Sequence, residues 1–170
     1  MALTGRNVRE SSLKLIRDRE GLRLNAYQDT KGVWTIGYGA PWYKTWSNRV
    51  KEGDTITKEG AEALLKFHAD YFAKQGVNRY IKVRLTQNQF DACLSLCFNL
   101  GEGNFSRSSV VRLINENPKN IAGIKNSFLE YENINRRKIE AALFVQKDAI
   151  IAGGSAIIAL LLFTLILKLS

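Results

Sequence analysis

The sequence predicts a mainly helical α+β fold of two lobes, a small β-hairpin lobe and a helical lobe joined by a connecting helix, with one transmembrane helix added at the C-terminus. Three observations predict it. Helix-periodic segments with recognisable start and stop residues fill most of the chain. Only residues 22–39 change to β-formers and turn residues. Residues 149–167, AIIAGGSAIIALLLFTLIL, contain no charge.

The elements follow in chain order. Residues 7–19 read as a helix around Leu13 and Ile16, with Gly21 as its stop signal. Tyr27, the Asp29-Thr30-Lys31-Gly32 turn and Val33-Trp34-Thr35-Ile36 read as a hairpin. Residues 40–56 are a loop-rich continuation bearing Trp42, Tyr43 and Trp46. Thr57 caps the connecting helix, with Glu59 in its first turn and Gly76 as its expected end. Thr86-Gln87-Asn88-Gln89 is a capping box, opening a helix that stops at Gly101. Ser108 or Ser109 caps a short helix to about Asn115, and Pro118 starts another to about Tyr131. The last helix begins near Ile134 or Asn135. Nothing between Arg136 and Ile151 breaks it, so it is expected to run unbroken into the apolar tail.

This divides the chain into a soluble domain, residues 1–147, and an anchor, residues 148–170. The uncharged stretch from Ala149 to Leu167 spans roughly 28 Å as a helix, close to the ~30 Å of a bilayer's hydrocarbon core. It is apolar all round, whereas a helix packed on a soluble core keeps a polar stripe. Arg136, Arg137, Lys138 and Lys147 precede it and only Lys168 follows, which predicts that the soluble domain stays on the cytoplasmic side. Met1 to Arg6 holds no apolar run, so no N-terminal export signal is expected. Small residues at four-residue spacing, such as Ala149/Gly153 and Ala152/Ala156, permit weak self-association through the span.

Composition narrows the function. The net charge of +9 favours an acidic partner: nucleic acid, anionic lipid or an anionic wall polymer. The basic residues are scattered rather than run together, so nucleic acid is not an expected partner. Cys93 and Cys97, at i and i+4 in an apolar run, read as small buried hydrophobes rather than a disulfide. With a single histidine in the chain, no metal site and no cofactor are expected.

The chemistry begins at Glu20, which closes the first helix immediately before Gly21. A carboxylate there faces the negative end of the helix dipole, a placement that favours retention of the proton a general acid needs. Eight residues separate Glu20 from Asp29, and five separate Asp29 from Thr35. Taken singly, Glu20 also reads as a surface residue, Asp29 as a turn residue and Thr35 as a strand former; two carboxyl groups across a cleft are what glycoside hydrolysis requires.

The stretch EGLRLNAYQDTKGVWTIGYG, with this spacing, resembles the catalytic signature of the phage-type lysozymes. Asn88-Gln89-Phe90-Asp91-Ala92, Phe98-Asn99-Leu100-Gly101 and Ser108-Ser109 resemble the helical lobe of that family. Asn135-Arg136-Arg137-Lys138 with Glu140 and Leu143-Phe144 resembles its closing helix. The resemblance covers residues 8–146. It implies a muramidase that hydrolyses the β-1,4 bond between N-acetylmuramic acid and N-acetylglucosamine of peptidoglycan. Glu20 would be the general acid. Asp29 with Thr35 would position or activate water on the opposite face, at a carboxyl separation of about 6.5–9.5 Å and with inversion. Arg136, with Arg137 as the fallback, would contact Glu20 and tune its pKa. Tyr27, Trp34 and Tyr38 are the expected substrate-stacking rings, with Trp42 and Trp46 near the same cleft.

Two departures stand out. The family's histidine after G-Y-G is Ala40 here, which touches local stability more than catalysis. The segment Phe128 to Ile134 runs almost directly into Arg136, which shortens the cleft wall on that side. Two settings suit a lysozyme tethered on the cytoplasmic side: host lysis after a membrane breach, or wall cutting from a membrane-containing virion during entry. A non-catalytic, membrane-anchored wall-binding or structural protein with a degenerate lysozyme fold is the alternative.

Overall fold

A computed structural model describes residues 6–45 and 47–147. The elements are α1 (Glu10–Glu20), β1 (Arg23–Gln28), β2 (Trp34–Gly37), α2 (Lys58–Phe72), a π-helical segment (Ala73–Val77), α3 (Asn78–Tyr80), α4 (Gln87–Leu100), α5 (Glu102–Ser106), α6 (Ser109–Glu116), α7 (Ile121–Phe128) and α8 (Ile134–Val145).

The centre of the molecule is α4. Phe90, Ala92, Cys93, Leu94, Leu96 and Cys97 are all fully buried. A helix apolar on nearly every side is stable only when other helices surround it. The large core gathers α4 with Ile16 of α1, Ala61, Leu65 and Ala69 of α2, Ile114 of α6, Ile124 of α7 and Phe144 of α8. A second, smaller core under the hairpin holds Ile36, Ala40, Val50 and Leu64. Because α2 sends Leu65 into one core and Leu64 into the other, it is the connecting helix that joins two lobes.

Local chemistry sets the element ends. The first helix begins at Glu10, later than residue 7, because Arg9 is extended and its N–H donates to Ser12 Oγ at 3.1 Å. It stops at Gly21, which takes a φ of 70° that non-glycine residues disfavour. Asp91 of α4 accepts from Ser11 Oγ at 2.7 Å and Ser12 Oγ at 2.5 Å, fixing α1 against the core. In α4 the Thr86 capping box forms: Thr86 Oγ1 accepts from Gln89 N–H, and Gln89 Oε1 accepts from Thr86 N–H at 2.9 Å. Ser108 caps α6.

Three expectations about helix ends are corrected. Gly76 does not terminate the connecting helix; the chain stays helical through the π segment to Tyr80. Gly76 is there for closeness, since a Cβ on it would lie 2.2 Å from Cys97 Sγ. Pro118 does not start α7. Asn120 does, through its Oδ1 accepting from Gly123 N–H at 3.0 Å, and the helix ends at Phe128. Finally, α8 does not continue unbroken toward the tail: it ends at Val145, and Gln146 is extended. Asn88 Nδ2 ties that end down by donating to the carbonyls of Gln146 and Lys147 at 3.3 and 3.2 Å.

No helix among the described residues is long and apolar enough to cross a membrane. The uncharged stretch 149–167 lies outside the described residues. Its expected flanking charge is reduced, because Arg136 and Arg137 are buried in the fold and cannot reach lipid headgroups. Lys138 and Lys147 remain exposed. Cys93 and Cys97 are free and buried, and burial pushes both thiols up, which suits inert core residues.

Candidate active site

Glu20 sits where α1 meets the hairpin lobe. Its Oε1 accepts from Arg136 Nη1 at 2.6 Å, and the two side chains are 18% and 8% exposed. On the other side, the turn after β2 closes in: a Cβ placed on Gly39 would lie 3.4 Å from Glu20 Oε2. Glycine at 39 therefore serves both its φ of 79° and its approach to the carboxylate. Beside Glu20 opens a cavity of ≈ 620 Å³, with Arg136, Asn99 and Asn133 in its wall. Asn133 holds a φ of 63°, the single positive-φ residue other than glycine among the described residues. Its short amide side chain tolerates that backbone.

Arg136 is held on every nitrogen. Its Nε donates to Glu140 Oε1 at 3.1 Å, and its Nη2 donates to Ser95 O at 3.0 Å and Ser95 Oγ at 3.2 Å. Arg137 lies near enough to Glu20 to feel its charge but makes its own contacts elsewhere. It is fully buried, donates from Nη2 to Asn99 Oδ1 at 2.9 Å and pairs with Glu140. Of the two candidate arginines, Arg136 makes the contact.

The base of the site is braced by a second network. Arg17 grips Glu62 through Nε at 3.0 Å and Nη2 at 2.8 Å, and Tyr38 donates its hydroxyl to Glu62 at 2.6 Å. These contacts join α1, the turn after β2 and α2. Arg17 and Tyr38 hold the Glu62 carboxyl below the usual carboxylate range. Burial, then the Glu62 hydrogen bond, raises the Tyr38 phenol.

Tyr38 is thus corrected from a substrate-stacking ring to a core residue, 5% exposed with its hydroxyl committed. Trp42 is buried too, edge-on to Tyr71 and Phe72 and 4.4 Å from the His68 ring. Tyr27 and Trp34 stay half-buried on neighbouring strands. The Arg23 guanidinium lies 4.5 Å from the Tyr27 ring, and Trp34 packs on the small core. Trp46 lies outside the described residues. The position of Ala40 is filled from its own side by the small core, and the chain's histidine, His68, instead contacts Trp42 O at 2.9 Å.

Asp29 and Thr35 belong to one hairpin. Asp29 Oδ1 accepts from the N–H groups of Lys31 and Val33 at 2.8 and 2.9 Å, so the turn itself fixes the carboxylate. Its Oδ2 has no such backbone tether among the described residues. Thr35 pairs with Tyr27 across the ladder and is 4% exposed. Residue types alone did not mark Glu140, Ser95, Glu62 or Gly39 as parts of the site. The signal for Glu140 was its spacing, three and four residues after the two arginines, which puts all three on one helix face.

The phage lysozyme family profile matches residues 17–148. The chain belongs to the phage lysozyme family. This lysozyme is 36% identical over 151 residues to the endolysin of Acyrthosiphon pisum secondary endosymbiont phage 1, covering 81% of this chain and 97% of that protein. It is 34% identical over 146 residues to the endolysin of Salmonella phage P22, again across 81% and 97%. Among solved structures, the endolysin of Escherichia coli O157:H7 phage FAHEc1 is similar with a TM-score of 0.74 and 32% identity, over 84% of this chain and 95% of that one. The protein is a glycoside hydrolase of the muramidase kind, which sets aside the non-catalytic alternative.

Proposed function

We propose that this lysozyme hydrolyses the β-1,4 bond between N-acetylmuramic acid and N-acetylglucosamine in peptidoglycan, with Glu20 as general acid. The observation that carries the reading is the Glu20 carboxyl on the wall of an open cavity, oriented by Arg136 at 2.6 Å and approached by the turn after β2 at Gly39. Glu20 gives its proton to the glycosidic oxygen as the bond to the anomeric carbon breaks. Asp29, rigid in its turn, orders and activates the water that attacks the opposite face, with Thr35 beside it on β2. Water between the two carboxyl groups gives inversion. Tyr27 and Trp34 flank the sugar path.

The test is lysis of outer-membrane-stripped Gram-negative cells by the full chain beside its Glu20→Gln variant. Lysis by the first and none by the second is the expected result; equal lysis removes Glu20 from the role. Proton NMR of the freshly released sugar then reads the anomer, and retention at the anomeric carbon would displace Asp29 from water activation.

We further propose that residues 149–167 anchor the enzyme in a bilayer with the lysozyme domain on the cytoplasmic side, or inside a membrane-containing virion. Support comes from the uncharged length of that stretch and from the exposed Lys138 and Lys147 that precede it. Weak self-association through its small residues belongs to the same reading. Release of the full chain from membranes by alkaline carbonate would sink the anchor.

A further inference from the structure

We propose that Glu140 is a positioning residue for the hydrolysis: from inside the helical lobe it clamps the Arg136 guanidinium in the orientation that presents Nη1 to Glu20. The proposal rests on the reading of Glu20 as the general acid.

Glu140 is fully buried and has no access to solvent. Its Oε1 accepts from Ser95 Oγ at 2.6 Å and from Arg136 Nε at 3.1 Å. Its Oε2 lies 2.9 Å from Arg137 Nη1, an ion pair whose atoms are not aligned as a hydrogen bond. Ser95 touches both partners, since its Oγ also accepts from Arg136 Nη2 at 3.2 Å. The guanidinium plane is therefore defined by Glu140 and Ser95 before Glu20 is reached, and Glu20 meets a donor whose direction is already set. A planar fork held at two corners aims its third nitrogen.

Packing alone does not require this arrangement. A buried charge set costs several kcal/mol per ion in desolvation, and well-packed apolar residues of similar volume are commonly as stable. What an apolar set cannot do is orient a cation. Burial pushes the Glu140 carboxyl above its usual range, while Arg137, Arg136 and the Ser95 hydroxyl oppose that push. The groups facing this carboxylate are Arg136 and Arg137 from α8 and Ser95 and Cys93 from α4, with Glu20 from α1 across Arg136 and Asn99 of α4 beyond Arg137. With Glu140 present, one buried anion balances one of two cations before Glu20 is counted. Without its charge, both guanidiniums bear on Glu20 uncompensated and favour its deprotonated form.

The experiment compares full-chain wild type, Glu140→Gln, Glu140→Asp and Glu20→Gln on soluble, uncross-linked peptidoglycan strands, reading kcat, KM and the pH–rate profile, with circular dichroism to confirm folding. Folded Glu140→Gln is expected to keep KM, to lose about tenfold in kcat at neutral pH and to show an alkaline limb moved about one pH unit lower. Glu140→Asp keeps the charge and should restore the limb. If Glu140→Gln does not fold, Ser95→Ala serves: it removes the hydroxyl that supports the ionised Glu140 and should move the limb the same way by less. A folded variant whose limb and kcat match wild type overturns the proposal while an inactive Glu20→Gln leaves the acid assignment standing. Undiminished activity in Glu20→Gln overturns both.

Discussion

Tyr38 donates its hydroxyl to Glu62 at 2.6 Å, and Glu62 is gripped at the same time by Arg17. The ring is buried, so its contribution is to hold the turn that carries Gly39 against Glu20. Tyr38→Phe leaves the ring and the Arg17 pair in place but removes one hydrogen bond to a charged group. The expected cost is about 1.5–3 kcal/mol of stability, with KM for peptidoglycan strands unchanged. Denaturant unfolding and KM on the same preparation check this, and a raised KM at wild-type stability would return Tyr38 to the substrate path. At this scale the Glu20–Arg136 contact was legible through the resemblance to the phage-type lysozymes, carried by the motifs around Glu20 and Asn135-Arg136-Arg137-Lys138, and not through spacing alone. Tyr38 was not, because an aromatic near a cleft has the same letters whether its ring faces sugar or core. Glu140 stands in the closing-helix motif, but its task was not legible there, since that task depends on Ser95, 45 positions earlier on another helix.

The element scale shows where local signals suffice. Gly21, Thr57, the Thr86 capping box, Gly101 and Ser108 all mark real helix ends, because each acts on the backbone within a few residues of itself. Gly76 failed as a stop because a glycine can be selected by a neighbour rather than by its own φ. Pro118 failed as a start because the Asn120 side chain supplies the oxygen that the helix's free N–H groups need. The one-and-a-half-turn helix α5 was missed altogether; too short to show periodicity, it exists because Phe105 fills the core. The Gly76 reading makes a prediction about the π-helical segment and α4 as a packed pair. Gly76→Ala drives a Cβ to 2.2 Å from Cys97 Sγ and should cost about 1–3 kcal/mol by overpacking. Cys97→Ala removes the clashing sulfur, so the double variant should be less destabilised than the sum of the two singles. Additive losses measured by urea unfolding would show that the helix pair does not meet at these two residues.

For the whole molecule, the two lobes share α2, and the residue at their junction that responds to acid is His68. It is 1% exposed, its Nε2 lies 2.9 Å from Trp42 O, and its ring packs tilted or edge-on among Trp42, Phe67 and Phe72. Burial pulls its pKa below the ordinary 6.5, with the backbone contacts to Trp42 and Tyr43 opposing. The unfolded chain therefore binds a proton that the folded chain refuses. Stability is fully present above the unfolded value, begins to fall as pH drops through about 6.5, and stops falling on this account once the folded pKa is passed. Glu62 acts in the same direction at lower pH. Its folded carboxyl lies below the usual 4.5, so its contribution is present above that value and is lost as the pH falls through the folded one. Glu140, raised by burial, runs the opposite way above the usual carboxylate value, where its contribution is lost as the pH rises and so opposes that of His68. Between roughly pH 6.5 and 5 the His68 contribution is the difference between the wild type and a variant without the imidazole, with a slope of at most about 1.4 kcal/mol per pH unit. His68→Gln should flatten that part of the stability–pH curve whatever it does to the absolute stability. Urea midpoints for both proteins across that range decide it: parallel curves would mean that the acid response of the molecule originates elsewhere than at the joint between its lobes.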